Sequence, residues 1–177
     1  YEAKDSAVAI GFFDGVHKGH ATLLQQLTQQ AKARGLQSVV ITFAKHPRET
    51  LGASYVPKLL TISDERIALI EKQGVDVCIV VEATKDLFEL SSRYFMQHYL
   101  VEQLHAKYLL VGYDHHFGND RENGYDYYKQ LGEKYGVEVE KASLFQLNDL
   151  NVSSSLVRKT LVDGQTKQAI NYLGYPY

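Results

Sequence analysis

The sequence predicts an α/β fold: a doubly wound, mostly parallel five-stranded sheet with helices on both faces. Two observations carry this. Apolar, β-rich runs alternate with helix-period patterns five times along the 177 residues. Two of those runs, SVVITF and VDVCIVV, are apolar almost without interruption, as strands covered on both faces are. Right-handed crossovers then place successive strands in one parallel sheet.

The elements follow in order. AVAIGFF, Ala7 to Phe13, is the first β-rich run, broken by Gly11. HATLLQQLTQQAKARG sets Leu23, Leu24, Leu27 and Ala31 on one face of a helix that Gly35 ends. SVVITF is the second strand. TISDERIALIEKQG offers Ser and Thr caps, an acidic first turn, Ile67 and Ile70 at helical spacing, and Gly74 as a stop. VDVCIVV is the third strand, with Cys78 inside it as a core thiol. SSRYFMQHYLVEQL is a helix with Tyr94, Phe95, Tyr99 and Leu100 apolar. AKYLLVG is the fourth strand, GYDYYKQLGEKYG a helix, VEVEKAS the fifth strand, and SSSLVRKTLVDGQ a serine-capped helix.

Composition narrows the function. The chain is 45% hydrophobic and 23% charged, an ordinary globular balance, and its length fits one domain over residues 1–177. Nineteen basic against 21 acidic residues leave a net charge of −2, so no global basic field points to nucleic acid. No apolar run approaches the roughly 18–20 residues that span a bilayer, and no signal peptide is visible, so no membrane partner is expected. One cysteine forms no intrachain disulfide, which fits a reducing, cytoplasmic compartment. The chain opens on Tyr1 rather than methionine and reads as part of something longer.

In doubly wound sheets, ligands sit beyond the carboxyl ends of the strands. The unusual residues fall there: GFFDGVHKGH, TFAKHPRE, VGYDHHFGNDRENG and NVSSSLVR, with EATKDLFEL as an acidic rim. Gly11, Gly15 and Gly19 let backbone approach a ligand, and the helix that follows points free N–H groups and its positive dipole end at the crevice. His17 and His20, three apart, share one face of its first turn. They fit phosphate donors, and they also fit capping and packing residues or a His-x-x-His metal pair. No third metal ligand stands nearby, HExxH is absent, and so are the GxGxxG fingerprint and the Gly-Lys-Ser/Thr of a P-loop.

HKGH resembles the HxGH signature of the nucleotidylyltransferase superfamily. The longer GFFDGVHKGH resembles the corresponding motif of bacterial FAD synthetases, the bifunctional riboflavin kinase/FMN adenylyltransferases. VVITFAKHPRE, LLVGYDHHFGNDRENG, VSSSLVRKTLVDGQ and the terminal YLGYPY resemble four further stretches of that family, in order, over nearly the whole chain. The resemblance is to the adenylyltransferase half. Residues 172–177 resemble the segment leading into the kinase domain, which is absent from this chain, so the chain alone is not expected to phosphorylate riboflavin. Phe12 stands where many members carry asparagine, Tyr113 replaces an acid, His116 stands where arginine is common, and Ser155 replaces threonine.

The resemblance implies a Rossmann-like fold and transfer of AMP from ATP to FMN, giving FAD and pyrophosphate, with Mg²⁺ accompanying ATP and metal ligands unassigned. Two anions must meet in that reaction, and like charges about 4 Å apart repel by roughly 4 kcal/mol at an effective dielectric of 20. The implied catalytic residues are His17, His20, Ser154 and Arg158. ATP binding falls to these and to Gly11, Phe12, Phe13, Asp14, Gly15, Asp114 and Ser153; FMN binding falls to His46, Pro47, Glu49 and Phe117, with His46 and Glu49 open to Mg²⁺ instead and Asp114 to FMN. Beside a polyanion both imidazole pKa values are expected to rise from about 6.5. Asp14 either orients the loop or faces a metal-bound water. Another HxGH transferase, acting on phosphopantetheine or a pyridine mononucleotide, and a nucleotide- or flavin-binding module without catalysis are the rival readings.

Overall fold

The computed structural model describes residues 4–113, 116–120, 124–147 and 150–177. Among them, β1 (Ser6–Ile10), β2 (Gln37–Phe43), β3 (Val77–Val81), β4 (Ala106–Val111) and β5 (Glu138–Lys141) form one sheet in the order β3-β2-β1-β4-β5, every pair parallel. The doubly wound α/β expectation holds. β1 is central and wholly buried, with Val8 opposite Val39 on one side and Leu109 on the other. The chain leaves β1 toward β2 and β3, then returns to lay β4 on the opposite flank. That reversal opens a crevice at the carboxyl end of β1.

Alternation along β1 sorts the two faces. Ala7 and Ala9 lie under α1 (Lys18–Arg34) and α3 (Ser63–Glu71), whose Leu24, Leu27 and Ile70 are fully buried. Val8 and Ile10 face the other layer, built by α5 (Ser92–Tyr94), the π-helical turn Phe95–Gln103 that continues it, and α6 (Gly124–Tyr135). Leu23, Leu24, Leu27 and Ala31 are the buried stripe of α1, as their spacing predicts, and Gly35 closes the helix in the left-handed region.

Three features differ from the sequence reading. VDVCIVV is an edge strand, so Val80 is 39% exposed and Cys78 half-buried; an edge has a neighbour on one side only, which apolar composition does not reveal. The first strand stops at Ile10, because Phe13 turns the chain with φ 56°. On α3 the buried positions are Arg66 and Ile70, with Ile67 half-buried. The chain also forms α2 (Pro47–Thr50), α4 (Lys85–Glu89), a hairpin of β6 (Gln146–Leu147) and β7 (Leu150–Asn151), α7 (Ser154–Val162) and α8 (Thr166–Leu173). Among the described residues no helix is long and apolar enough to cross a membrane.

Gly132 shows how closely α6 approaches β5. A Cβ there would run into the Val137 carbonyl and a Val139 methyl. Gly132→Ala is therefore expected to destabilise the fold by about 1–3 kcal/mol despite alanine's better helix propensity, and urea unfolding measures it.

Candidate active site

The loops after β1, β2, β4 and β5 and the start of α7 enclose a crevice of about 380 Å³. Gly11, Phe12, Phe13, Asp14, His17 and His20 line it from the first loop. His46 enters from the loop after β2, and Ser153, Ser154 and Arg158 close the opposite side. The amino ends of α1 and α7 both open on this space, so free N–H groups and two positive dipole ends face it.

The first loop is strained. Phe13 (φ 56°), Gly15 (φ 74°) and Val16 (φ 32°) all lie at positive φ, a region that costs a non-glycine residue on the order of 1–3 kcal/mol, and Val16 is β-branched. Distant parts of the chain hold the turn. Asp14, 3% exposed, accepts from the backbone N–H groups of Leu60 (2.9 Å) and Thr61 (3.2 Å) through Oδ1. Its Oδ2 pairs with Arg158 Nη1 at 2.7 Å. The Ser154 hydroxyl donates to the Asp14 carbonyl (2.9 Å), and the Gly15 N–H donates to Thr61 Oγ1 (3.1 Å). Asp14 thus orients the loop and carries Arg158.

The two imidazoles stack, with ring centroids 3.7 Å apart and planes 21° from parallel. His17 caps α1: its Nδ1 accepts the His20 backbone N–H at 3.4 Å. In the neutral ring the proton then sits on Nε2, leaving a donor for a ligand. His20 Nδ1 is buried and has no partner among the described residues. Burial and the Arg158 charge lower the His17 pKa from 6.5 to about 4; burial and His17 push His20 well below its ordinary value. Both are therefore neutral in the free protein at pH 7, and a bound polyanion would drive them back toward the protonated form.

A depressed histidine pKa carries a sign. Between about 6.5 and about 4 the unfolded chain binds more protons at His17, so its contribution is complete above 6.5 and lost as pH falls through that window. The expected loss for His17 is on the order of 3 kcal/mol. Urea titrations from pH 7 to pH 4 should show it, and His17→Gln should flatten that slope.

The helix α7 spends its serine hydroxyls on structure: Ser153 accepts the Leu156 N–H as the cap, and Ser154 is bound to Asp14. What they leave for a ligand is backbone N–H groups and the Ser153 hydroxyl proton, since Ser153 only accepts in its cap while Ser154 donates its own to Asp14. Arg158, with Nη1 on Asp14 and Nη2 near Ser155 Oγ (3.4 Å), keeps further N–H donors at the crevice wall.

The other predicted residues divide between the crevice and its surroundings. Gly15 sits behind the crevice against Leu60 and Leu173. His46 caps α2 and sets its ring edge-on to Phe12 at 4.7 Å, while Pro47 starts that helix and Glu49 is exposed on it, neither lining the crevice. Phe117 is in the core, stacked on Tyr128 at 4.2 Å, so its ring is unavailable to a ligand. Asp114 lies outside the described residues. His116 is exposed and Tyr113 lines the crevice. The acidic stretch after β3 also lies off the crevice, with Thr84 capping α4. Among the described residues no three His, Cys, Asp or Glu side chains are grouped to hold a metal ion.

Arg66 is a residue that the loop motifs do not single out. It is fully buried, donates through Nη2 to the Phe43 carbonyl at 2.7 Å, and holds its guanidinium 4.2 Å from the Phe12 ring centroid. Its Nε and Nη1 have no hydrogen-bond partner among the described residues. The available signal was its place four residues before Ile70, on the apolar stripe of α3.

Residues 1–156 match the FAD synthetase family. A bifunctional riboflavin kinase/FMN adenylyltransferase of Buchnera aphidicola is 33% identical over 174 residues, covering 98% of this chain and 56% of that protein. Proteins of the same name from Haemophilus influenzae (34% identical, 97% of this chain, 56% of that protein) and Escherichia coli (32%, 96% and 54%) match similarly. The chain thus spans about half the length of these relatives. The crystal structure of a macrolide-efflux protein from Streptococcus pneumoniae matches with a TM-score of 0.86 at 27% identity, covering 99% of this chain and 58% of that one.

Proposed function

The chain belongs to the FAD synthetase family, and from that premise we propose that its crevice transfers AMP from ATP to FMN. The observation that supports this most is the convergence of His17, His20 and Arg158 on one crevice flanked by two helix amino ends. That arrangement is built for a polyphosphate.

In the reaction, an FMN phosphate oxygen forms a bond to the α-phosphorus of ATP. The bond from that phosphorus to the β-bridging oxygen breaks, and pyrophosphate leaves with the electron pair. No bond to protein is required; the protein positions two anions and disperses charge. His17 donates through Nε2, and His20, whose Nδ1 has no partner among the described residues, addresses the same phosphates. Protonation of either imidazole on ATP binding adds positive charge where charge develops on the leaving group. Arg158, held by Asp14, addresses the β- and γ-phosphates, and α7 offers them the amides that follow Ser153. Glycine at 11 lets the Phe12 and Phe13 backbone come close to the nucleotide.

FMN occupies the side marked by His46, with Phe12 and Tyr113 beside it; Pro47 fixes the turn that carries His46, and Glu49 stands at the outer rim. Mg²⁺ accompanying ATP would be held chiefly by the phosphates themselves, since the Asp14 carboxylate is engaged by Arg158 and two amides. Bound there, the ion would supply charge neutralisation. A riboflavin kinase domain is the proposed covalent partner in the intact protein, and the cytoplasm its compartment.

The test is product formation with ATP and Mg²⁺ in the presence of FMN, nicotinamide mononucleotide or phosphopantetheine. FAD from FMN, and no dinucleotide or dephospho-coenzyme product from the other two, is expected. A folded chain that binds ATP yet releases no pyrophosphate with FMN would move the binding-module reading ahead.

A further inference from the structure

The strained turn at Asp14 to Val16 is also held from the end of the chain. The Tyr175 hydroxyl donates to the Gly15 carbonyl at 2.6 Å across 160 residues. Leu173 packs against Gly15, and Lys18, at the start of α1, bonds Asn171 on α8 at 3.2 Å. The family match ends at residue 156, so the C-terminal half of this clasp, Asn171, Leu173 and Tyr175, lies beyond it. YLGYPY is thus joined to the first loop, not merely a connector.

We propose, resting on the ATP role of the crevice given above, that Tyr175 is a positioning residue for the nucleotide phosphate site. A left-handed glycine carries no Cβ to resist rotation of the peptide that follows it. At Gly15 the N–H is fixed by Thr61 and the carbonyl by Tyr175, so both flanking peptides are set. The Gly15–Val16 peptide leads directly into His17, the cap of α1, and hence sets where the paired imidazoles stand. Burial and the nearby Asp14 charge push the Tyr175 hydroxyl up to about 12, which keeps it a donor throughout the working pH range. Phosphate chemistry at the front of the turn therefore depends on a hydroxyl behind it.

The experiment compares wild type, Tyr175→Phe and Tyr172→Phe in this chain. Tyr172 is buried on α8 in the cluster with Leu173 and serves as a packing control. Loss of the Tyr175 hydroxyl is expected to weaken ATP binding, read by calorimetry without FMN, about fivefold to tenfold, the range of one hydrogen bond. Amides of residues 15–20 should exchange faster than in wild type while those of β1 and β2 keep their protection. In turnover, kcat/KM for ATP should fall and KM for FMN should not. Tyr172→Phe should leave ATP affinity unchanged. Wild-type ATP affinity and wild-type exchange at residues 15–20 in Tyr175→Phe would overturn the proposal. Because the binding comparison needs no FMN, a chain that made no FAD would refute the transfer reaction without deciding the role of Tyr175.

Discussion

Replacing His20 by alanine is expected to lower FAD formation by two to three orders of magnitude while the melting temperature stays near that of wild type. Removing one preorganised donor to a developing charge costs about 2.7–4 kcal/mol in the transition state. His20 suits that role because its Nδ1 is buried without a partner among the described residues, an arrangement that is unfavourable in the free protein. The substitution loses the stacking with His17 and the edge contact with Phe13 at 5.3 Å, but it also removes that unsatisfied atom. The two effects oppose each other, so stability changes little. Single-turnover rates with saturating ATP separate this from a binding defect. A loss of less than tenfold would show that His20 is a packing residue, the plain alternative for a histidine in a turn.

Asp14→Asn is expected to be the more damaging change to the fold. Its carboxylate unites the first loop, the Leu60–Thr61 backbone and Arg158, and it is nearly fully buried. Breaking a buried pair from one side leaves the other charge uncompensated, which costs about 3–5 kcal/mol; Arg158 is 19% exposed, so about 3 kcal/mol is expected. Arg158→Met should cost about as much, because it leaves the more deeply buried Asp14 carboxylate without its cation, bonded only by the Leu60 and Thr61 amides and the Thr61 hydroxyl. The double variant should then be more stable than the sum of the two losses predicts, with a coupling of roughly 1–3 kcal/mol in urea unfolding. Strict additivity would mean that the ion pair does not hold the loop. Unchanged stability with an altered Mg²⁺ dependence would instead favour the metal-bound-water role for Asp14.

Local signals and long-range ones fared differently. Leu23, Leu24, Leu27 and Ala31 declare the inner face of α1 through spacing alone, and Gly35 declares its end. HKGH at the end of the first β-rich run marks a ligand site because glycine, histidine and a helix start share one turn. What holds that turn was not legible. Asp14 and Arg158 are 144 residues apart, and Gly15 and Tyr175 are 160 apart. Nothing near Asp14 in the sequence names its ion-pair partner. Phe117 misleads for a related reason: a phenylalanine in a polar loop looks available, yet the chain folds it back onto Tyr128. VDVCIVV has the composition of a central strand, and its place at the sheet edge follows only from the order in which strands add.

The most direct measurement follows the label from ATP carrying ³²P at the α position, incubated with FMN and Mg²⁺, with a parallel sample labelled at the γ position. Transfer of AMP predicts α-label in FAD and γ-label in pyrophosphate, in equal amounts, with both lowered together by two to three orders of magnitude in His20→Ala. Label that stays in ATP while the folded chain still binds it, or α-label released as free AMP with none in FAD, would contradict adenylyl transfer to FMN.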